Sequence, residues 1–404
     1  MTRLATRPAD TYSPLYFLAS LGAGGLTVTF FMYLMFWVPH AGRPVPVFGD
    51  IAAAFMGGEI PMQVAIIVAV LGIAAFAFLN VKLLIWNLSA LARFSTTDTY
   101  DKLRNSNGET QLLAGPLAAA MTVNAMFIVG LVFVPGLWGI VEYLFPAALV
   151  AFLAIGVWAF RLIGDFLGRV LAEGGIFDVT ANNSFAQLLP AFALSMVGVG
   201  LAAPAAMSGQ PVVVGVSVVL STFFGIAAVL YTVIAAILGF NSMLHHGTAR
   251  EAGPTLMVVV PIMTVLGILF LRQGHGLHVT FDTHAATADT MVFLAQLLAV
   301  QVLFLGLGML VLRRQRYFDD FVLGDKTSAG SYALVCPGVA LSVMLHFFTN
   351  KGLVEAGVID KFGVAYWSVT ALALVAQALM IALVIRLNRQ HFAKTGAAAG
   401  VPAE

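Results

Sequence analysis

The chain reads as an all-α polytopic membrane protein with ten transmembrane helices, the odd-numbered ones forming an inner ring around a pore or cavity. Three observations predict this. Of its 404 residues, 60% are hydrophobic and only 10% charged, against about 45–50% apolar and about 25% charged in ordinary soluble domains. Ten separate apolar stretches each approach or exceed the roughly 20 residues of helix that cross a bilayer. Prolines set among small residues recur inside the apolar stretches at Pro116, Pro190, Pro261 and Pro337, at steps of 74, 71 and 76 residues. A near-constant step marks an internal repeat. Each repeat is one pair of membrane helices, with the proline in the first of the pair. Proline removes a backbone donor and crowds the preceding turn, so the inner helices are expected to kink at their Pro and Gly residues.

In order, the spans fall at 14–38, 61–92, 112–134, 142–168, 185–207, 211–239, 254–272, 289–312, 331–349 and 362–387. The second is over-long and must tilt or project from the bilayer. Residues 1–13 form a short cytoplasmic N-terminus, 14–387 a single transmembrane domain and 388–404 a cytoplasmic tail. The first span is too long for the core of a signal peptide and is read as retained. The odd spans are rich in Gly, Ala and Ser, which let helices approach closely. The even spans hold bulkier residues, as in Val157-Trp-Ala-Phe-Arg161, and are expected to face lipid. Span one has no mid-helix proline, and Leu21-Gly-Ala-Gly-Gly-Leu26 is expected to supply the same looseness.

Charge sets the orientation. One set of connections carries 14 Lys and Arg residues, among them Arg93, Arg104, Arg250 and Arg313. The other set carries four: Arg43, Arg272, Lys351 and Lys361. The positive-inside rule places both termini in the cytoplasm, as an even number of spans also requires, and the expected location is the cell inner (plasma) membrane. No basic tract suggests nucleic acid. The single cysteine excludes an internal disulfide and a cysteine-based metal site. No cofactor is implied.

Cys336 is followed at once by Pro337 and Gly338, a thiol beside a helix break. A free cysteine usually behaves as a small buried hydrophobe. The other reading is a gate, or a nucleophile that would need a cationic neighbour. Asn124 is the most polar candidate on an inner helix; it bonds a neighbouring helix or a permeating anion. Lys82 sits late in span two, and Arg161 and Asp165 lie one helical turn apart in span four. Ionisable groups are expensive inside a membrane. These three either fix helix packing near the cytoplasmic end or form a cationic vestibule. His275, His278, Asp282 and His284 cluster in an outer connection, but their spacing matches no standard zinc pattern, and no metal is expected.

With its ten helices, its inner prolines and its opening Pro14-Leu-Tyr-Phe-Leu-Ala-Ser-Leu-Gly-Ala-Gly-Gly-Leu26, the chain resembles the tellurite-resistance/dicarboxylate transporter family. That group includes the bacterial TehA proteins and the plant slow-type anion channels. Within it, Tyr332-Ala-Leu-Val-Cys336-Pro337-Gly338 looks like the site of the TsoY family, some members of which are selenoproteins with selenocysteine in place of cysteine. The resemblance implies five helical hairpins around a central pore, a homotrimer, and the passage of anions. In TehA-like members a phenylalanine plugs the pore; here Cys336 stands at the matching position, which puts the aromatic plug in doubt.

The expected function is transport of a small inorganic or organic anion through a central pore gated near Cys336, with Pro116, Pro190, Pro261 and Asn124 lining it. Resemblance and thiol together point to a sulfur or selenium oxyanion. The alternative is a thiol-dependent membrane redox enzyme in which Cys336 is catalytic.

Overall fold

The computed structural model describes residues 8–174, 177–283 and 286–392. Among them, ten helices are long and apolar enough to cross a membrane: Pro14–Trp37, Ile60–Phe94, Asn107–Phe133, Leu137–Glu173, Ala186–Met207, Pro211–His246, Gly253–Phe281, Thr287–Arg314, Ala329–Val354 and Val364–Phe392. They are numbered here as spans one to ten. The chain is a multi-pass membrane protein. Three even spans reach 35 to 37 residues, which at 1.5 Å per residue is well beyond the roughly 30 Å of hydrocarbon. The last helix runs to Phe392, five residues past the expected end of the domain.

Burial separates two rings. The most apolar stretches of the odd spans are buried to 83, 50, 94, 67 and 67%; those of the even spans to 33, 28, 33, 17 and 22%. Spans one, three, five, seven and nine pack each on the next, and nine closes back on one. Each even span packs on its own hairpin partner and on the following odd span. The even spans leave large apolar side chains such as Leu71, Phe78, Val219, Leu303 and Leu372 exposed, the surface that lipid tails cover. Five hairpins thus surround one axis.

The repeat has a different physical basis from the expected kinks. Every odd span opens with a 3₁₀ turn: Pro14–Tyr16, Asn107–Leu113, Ala186–Leu188, Gly253–Met257 and Ala329–Leu334. In four of the five, a serine hydroxyl accepts from the backbone N–H two residues on: Ser13 from Leu15, Ser106 from Gly108, Ser184 from Ala186 and Ser328 from Gly330. The α-helical part starts next, and Pro116, Pro190, Pro261 and Pro337 each stand second or third in it. Proline is tolerated in a first turn, where its missing N–H would lack an α-type partner anyway. These prolines start helices rather than kink them.

The interrupted inner helix is span five. It stops at Leu201 and resumes over Ala203–Met207. The cause is Pro204, which has no N–H for the carbonyl of Gly200 four residues back.

The glycines of span one also differ from expectation. Its helix is continuous over Phe17–Trp37. A Cβ on Gly22 or Gly25 would stand 2.8 Å from a methyl of Val335 or Val339. The glycine run tightens span one against span nine instead of loosening it. Backbone meets backbone between span seven and the second half of span five, where a Cβ on Gly276 would lie 2.3 Å from the backbone oxygen of Ala205.

Gly276→Ala is therefore expected to cost about 1–3 kcal/mol, the range for forced overpacking, and to lower the melting temperature in detergent. Gly164→Ala, where nothing lies within 4 Å, is the control and should leave it unchanged.

Candidate functional site: a cavity inside the inner ring

The inner ring encloses a cavity of about 1360 Å³. The first lining residues met along the five inner helices are Leu21, Met121, Phe192, Pro261 and Cys336. Toward the chain ends the space is filled by buried apolar side chains, including Phe17, Leu18, Leu117, Leu188 and Leu189. At the other end Arg43, Asp289, Glu355 and Lys361 stand around the mouth. The cavity is thus a vestibule closed at the face that carries both chain ends and open at the opposite face.

Its walls are mainly apolar, from Val28, Met32, Phe127, Met196, Val265 and Val343. The charged groups on it are few, and half of them sit in ion pairs. Arg43 pairs with Asp50, and Lys351 Nζ lies 2.6 Å from Glu355. Lys361, at the mouth, has its ammonium pulled below the ordinary lysine value by burial and by the like charge of Lys351.

Arg272 is an unpaired guanidinium among them. It sits well inside span seven rather than in an outer connection, and it lines the cavity. Its Nη1 donates to the carbonyl of Val199 at 2.7 Å. No carboxylate pairs with it among the described residues. The reason it points there is the break at Pro204. A helix interrupted in lipid must find partners for its freed carbonyls within the protein. Ser217 of span six, fully buried, donates its hydroxyl to the carbonyl of Leu201 at 2.5 Å and accepts from the N–H of Ala205 at 2.9 Å. Arg272 serves Val199 from the other side. A guanidinium has five N–H donors in a rigid fork. One is used on Val199, and the cation faces the cavity with no counter-charge.

The structure sorts the residues singled out from the sequence. Cys336, Pro261 and Asn124 line the cavity. Cys336 is 8% exposed. The Asn124 amide donates to the carbonyl of Ala120 at 3.1 Å and lies 3.8 Å from the sulfur of Met196, so it bonds its own helix and touches span five. Pro116, Pro190 and Pro337 are buried in the packing and do not line the cavity. Gly338 faces span ten, where a Cβ would meet the sulfur of Met380 at 2.5 Å.

Lys82, Arg161 and Asp165 are not on the cavity wall either, so they form no vestibule. They belong to the outer-ring helices of spans two and four. Asp165 is 3.3 Å from Arg104, not paired with Arg161. Arg104 also lies 3.2 Å from buried Glu109, which Arg169 contacts as well. That cluster ties the second hairpin together at the face carrying the chain ends. Of the histidine group, His275 and His278 line the cavity mouth, a ring nitrogen of His278 is 2.6 Å from the carbonyl of Thr283, and His284 lies outside the described residues. No three potential metal ligands converge among the described residues.

Ser217→Ala is expected to leave the Leu201 carbonyl and the Ala205 N–H without their partner. A buried group left unsatisfied costs about 1–3 kcal/mol, readable as a lowered melting temperature in detergent.

Neither a family model nor a curated protein sequence matches the chain.

Proposed function

We propose that this protein is a membrane transporter or channel for a small anion, which it takes up in the inner-ring cavity. The observation that carries this reading is Arg272: a cation without a counter-charge, on the wall of an otherwise largely apolar cavity, with donors left over after its bond to Val199. A conducting site must attract its ion and yet let it leave. One unpaired guanidinium among apolar walls suits both demands, where a cluster of cations would hold the anion too tightly. The packed residues at the closed end, with Cys336 just above them, would form the gate. The resemblance to the tellurite-resistance/dicarboxylate transporters and the thiol on the wall favour a sulfur or selenium oxyanion, and the trimer that the resemblance implies belongs to the same reading. The excess of basic residues on the loops at the closed face supports a cytoplasmic position for that face and both termini, in an inner membrane.

A second reading rests on Cys336, whose position on the cavity wall lets a substrate reach it. It would make the protein a thiol-dependent redox enzyme. Against it, no basic side chain hydrogen-bonds the thiol among the described residues, and an attacking thiolate needs such a neighbour.

The test is anion flux in proteoliposomes with chloride, nitrate, sulfite, thiosulfate and selenite. Arg272→Gln should lower flux about 10–100-fold, the equivalent of one charge-assisted hydrogen bond worth roughly 1.5–3 kcal/mol. Cys336→Ser should keep conducting. A small methanethiosulfonate added at the open face should slow flux in the wild type and leave Cys336→Ser untouched. Absence of flux for every anion would refute the transport reading, and loss of all activity in Cys336→Ser would favour the enzyme.

A further inference from the structure

A second polar site lies behind the cavity wall, between spans one, nine and ten. His346 of span nine is fully buried, and neither of its ring nitrogens has a hydrogen-bond partner. Buried polar groups are nearly always paired, and a neutral imidazole always carries one N–H donor and one acceptor, so both are left unmet. The surroundings are aromatic. The rings of Tyr33, Phe36 and Trp37 on span one stand 6.1, 6.4 and 6.3 Å from the imidazole, centre to centre.

Two more buried polar atoms near this site lack partners. Ser342 Oγ is one helical turn before His346 on span nine. Gln377 Nε2 is on span ten, and the same side chain accepts from the Tyr33 hydroxyl at 2.5 Å. Below His346 the chain leaves α geometry for a π-helix over Phe348–Val354. There Asn350 donates to the His346 carbonyl at 2.9 Å and accepts from the Tyr366 hydroxyl, which in turn accepts from the indole of Trp37. π-helical turns are rare and gather at functional sites.

The titratable side chains facing the imidazole are Tyr33 on span one and, through Asn350, Tyr366 on span ten. The charged groups of the adjoining elements lie on the cavity instead: Arg272 and His275 of span seven, Asp289 of span eight, and Lys351 and Glu355 beyond His346. Asn350, Phe36 and Phe347 line the cavity too. They are the partition between the two sites.

We infer that His346 is a binding site for a proton, taken from the cavity past Asn350 and held among the rings of Tyr33, Phe36 and Trp37, and that this proton travels with the anion. The unmet acceptors of Ser342 and the unmet nitrogens of the imidazole leave room for proton exchange that a satisfied core histidine would not. The proton adds to a ring nitrogen when the site faces the cavity and leaves from the same atom when the site opens to the other side. No bond other than N–H forms or breaks. The coupling rests on the anion-transport reading; the proton site does not.

Two measurements test it separately. The first is NMR of ¹⁵N-histidine-labelled wild type in lipid nanodiscs, with the His346 signals identified by their contacts to the Phe36 and Trp37 rings. Passage from neutral to doubly protonated as the pH is lowered is expected. A ring that stays neutral throughout overturns the site, and this reading needs no variant to fold. The second is flux against pH in proteoliposomes, with proton entry followed by a trapped dye. Wild-type flux should rise as the pH on the cavity side falls, by up to about tenfold per unit for one proton. His346→Gln should conduct without that dependence and without proton entry. Anion flux that is pH-independent in the wild type overturns the coupling while leaving transport standing. A titrating His346 in a protein that moves no anion overturns the transport reading and leaves the proton site in place.

Discussion

The hydrogen bond from Arg272 to the carbonyl of Val199 is the contact on which the arrangement of the cavity depends. Lipid offers no water to an unpaired backbone group. Pro204 interrupts span five, and the carbonyls released at the break have to be met by neighbouring spans. Ser217 meets Leu201 from span six and Arg272 meets Val199 from span seven. Three helices are joined at one point, and the join delivers a guanidinium to the cavity wall. Gly276 follows one helical turn after Arg272, and only a residue without a side chain lets span seven come that close to Ala205. One side chain supplies a donor to the interrupted backbone and puts a cation on the cavity wall.

Around that point the fold is a five-part repeat with a division of labour. The inner helices begin alike, with a 3₁₀ turn opened in four of five cases by a serine. Each then passes into an α-helix near the closed end of the cavity. The outer helices have one job each, to cover two inner helices and face lipid, and their composition is correspondingly plain. The ring packs tightly through glycine and alanine near the chain ends and widens toward the opposite face. The result is a vestibule rather than a uniform tube. The apolar plug and the thiol lie at its narrow end, and the charges crowd its mouth.

The proline spacing located the repeat correctly while suggesting the wrong local structure for it. Pro116, Pro190, Pro261 and Pro337 mark where the α-helical part of each inner span starts, because a proline in a first turn and a proline in a helix interior look the same until the turn before it is known. The serines ahead of the 3₁₀ turns were a readable signal for that turn, since a hydroxyl accepting from two residues on is a local pattern. Pro204, near the expected end of its span, does not follow the spacing of the other prolines and marks no repeat. The apolar run stops at Arg272, which on sequence alone sets it in an outer connection; span seven continues to Phe281. Lys82, Arg161 and Asp165 stand out as charges within apolar runs, yet all three belong to outer helices and lie off the cavity wall.

Sequence alone determined that the chain crosses a membrane ten times, that its helices come in pairs, and that odd and even members differ in which neighbours they can accept. Those properties are local: they follow from the length of each apolar run, the size of its side chains and the interval between prolines. Tertiary structure decided which residues meet the cavity. It put Cys336, Asn124 and Pro261 on the wall, turned Gly338 toward Met380, separated Asp165 from Arg161, and enclosed His346 among the rings of span one. That choice depends on how far each helix is rotated about its own axis and on which distant helix it meets. In an inner helix, buried on nearly all sides, no hydrophobic stripe records the rotation: the moment that betrays a half-buried helix vanishes when every face is apolar.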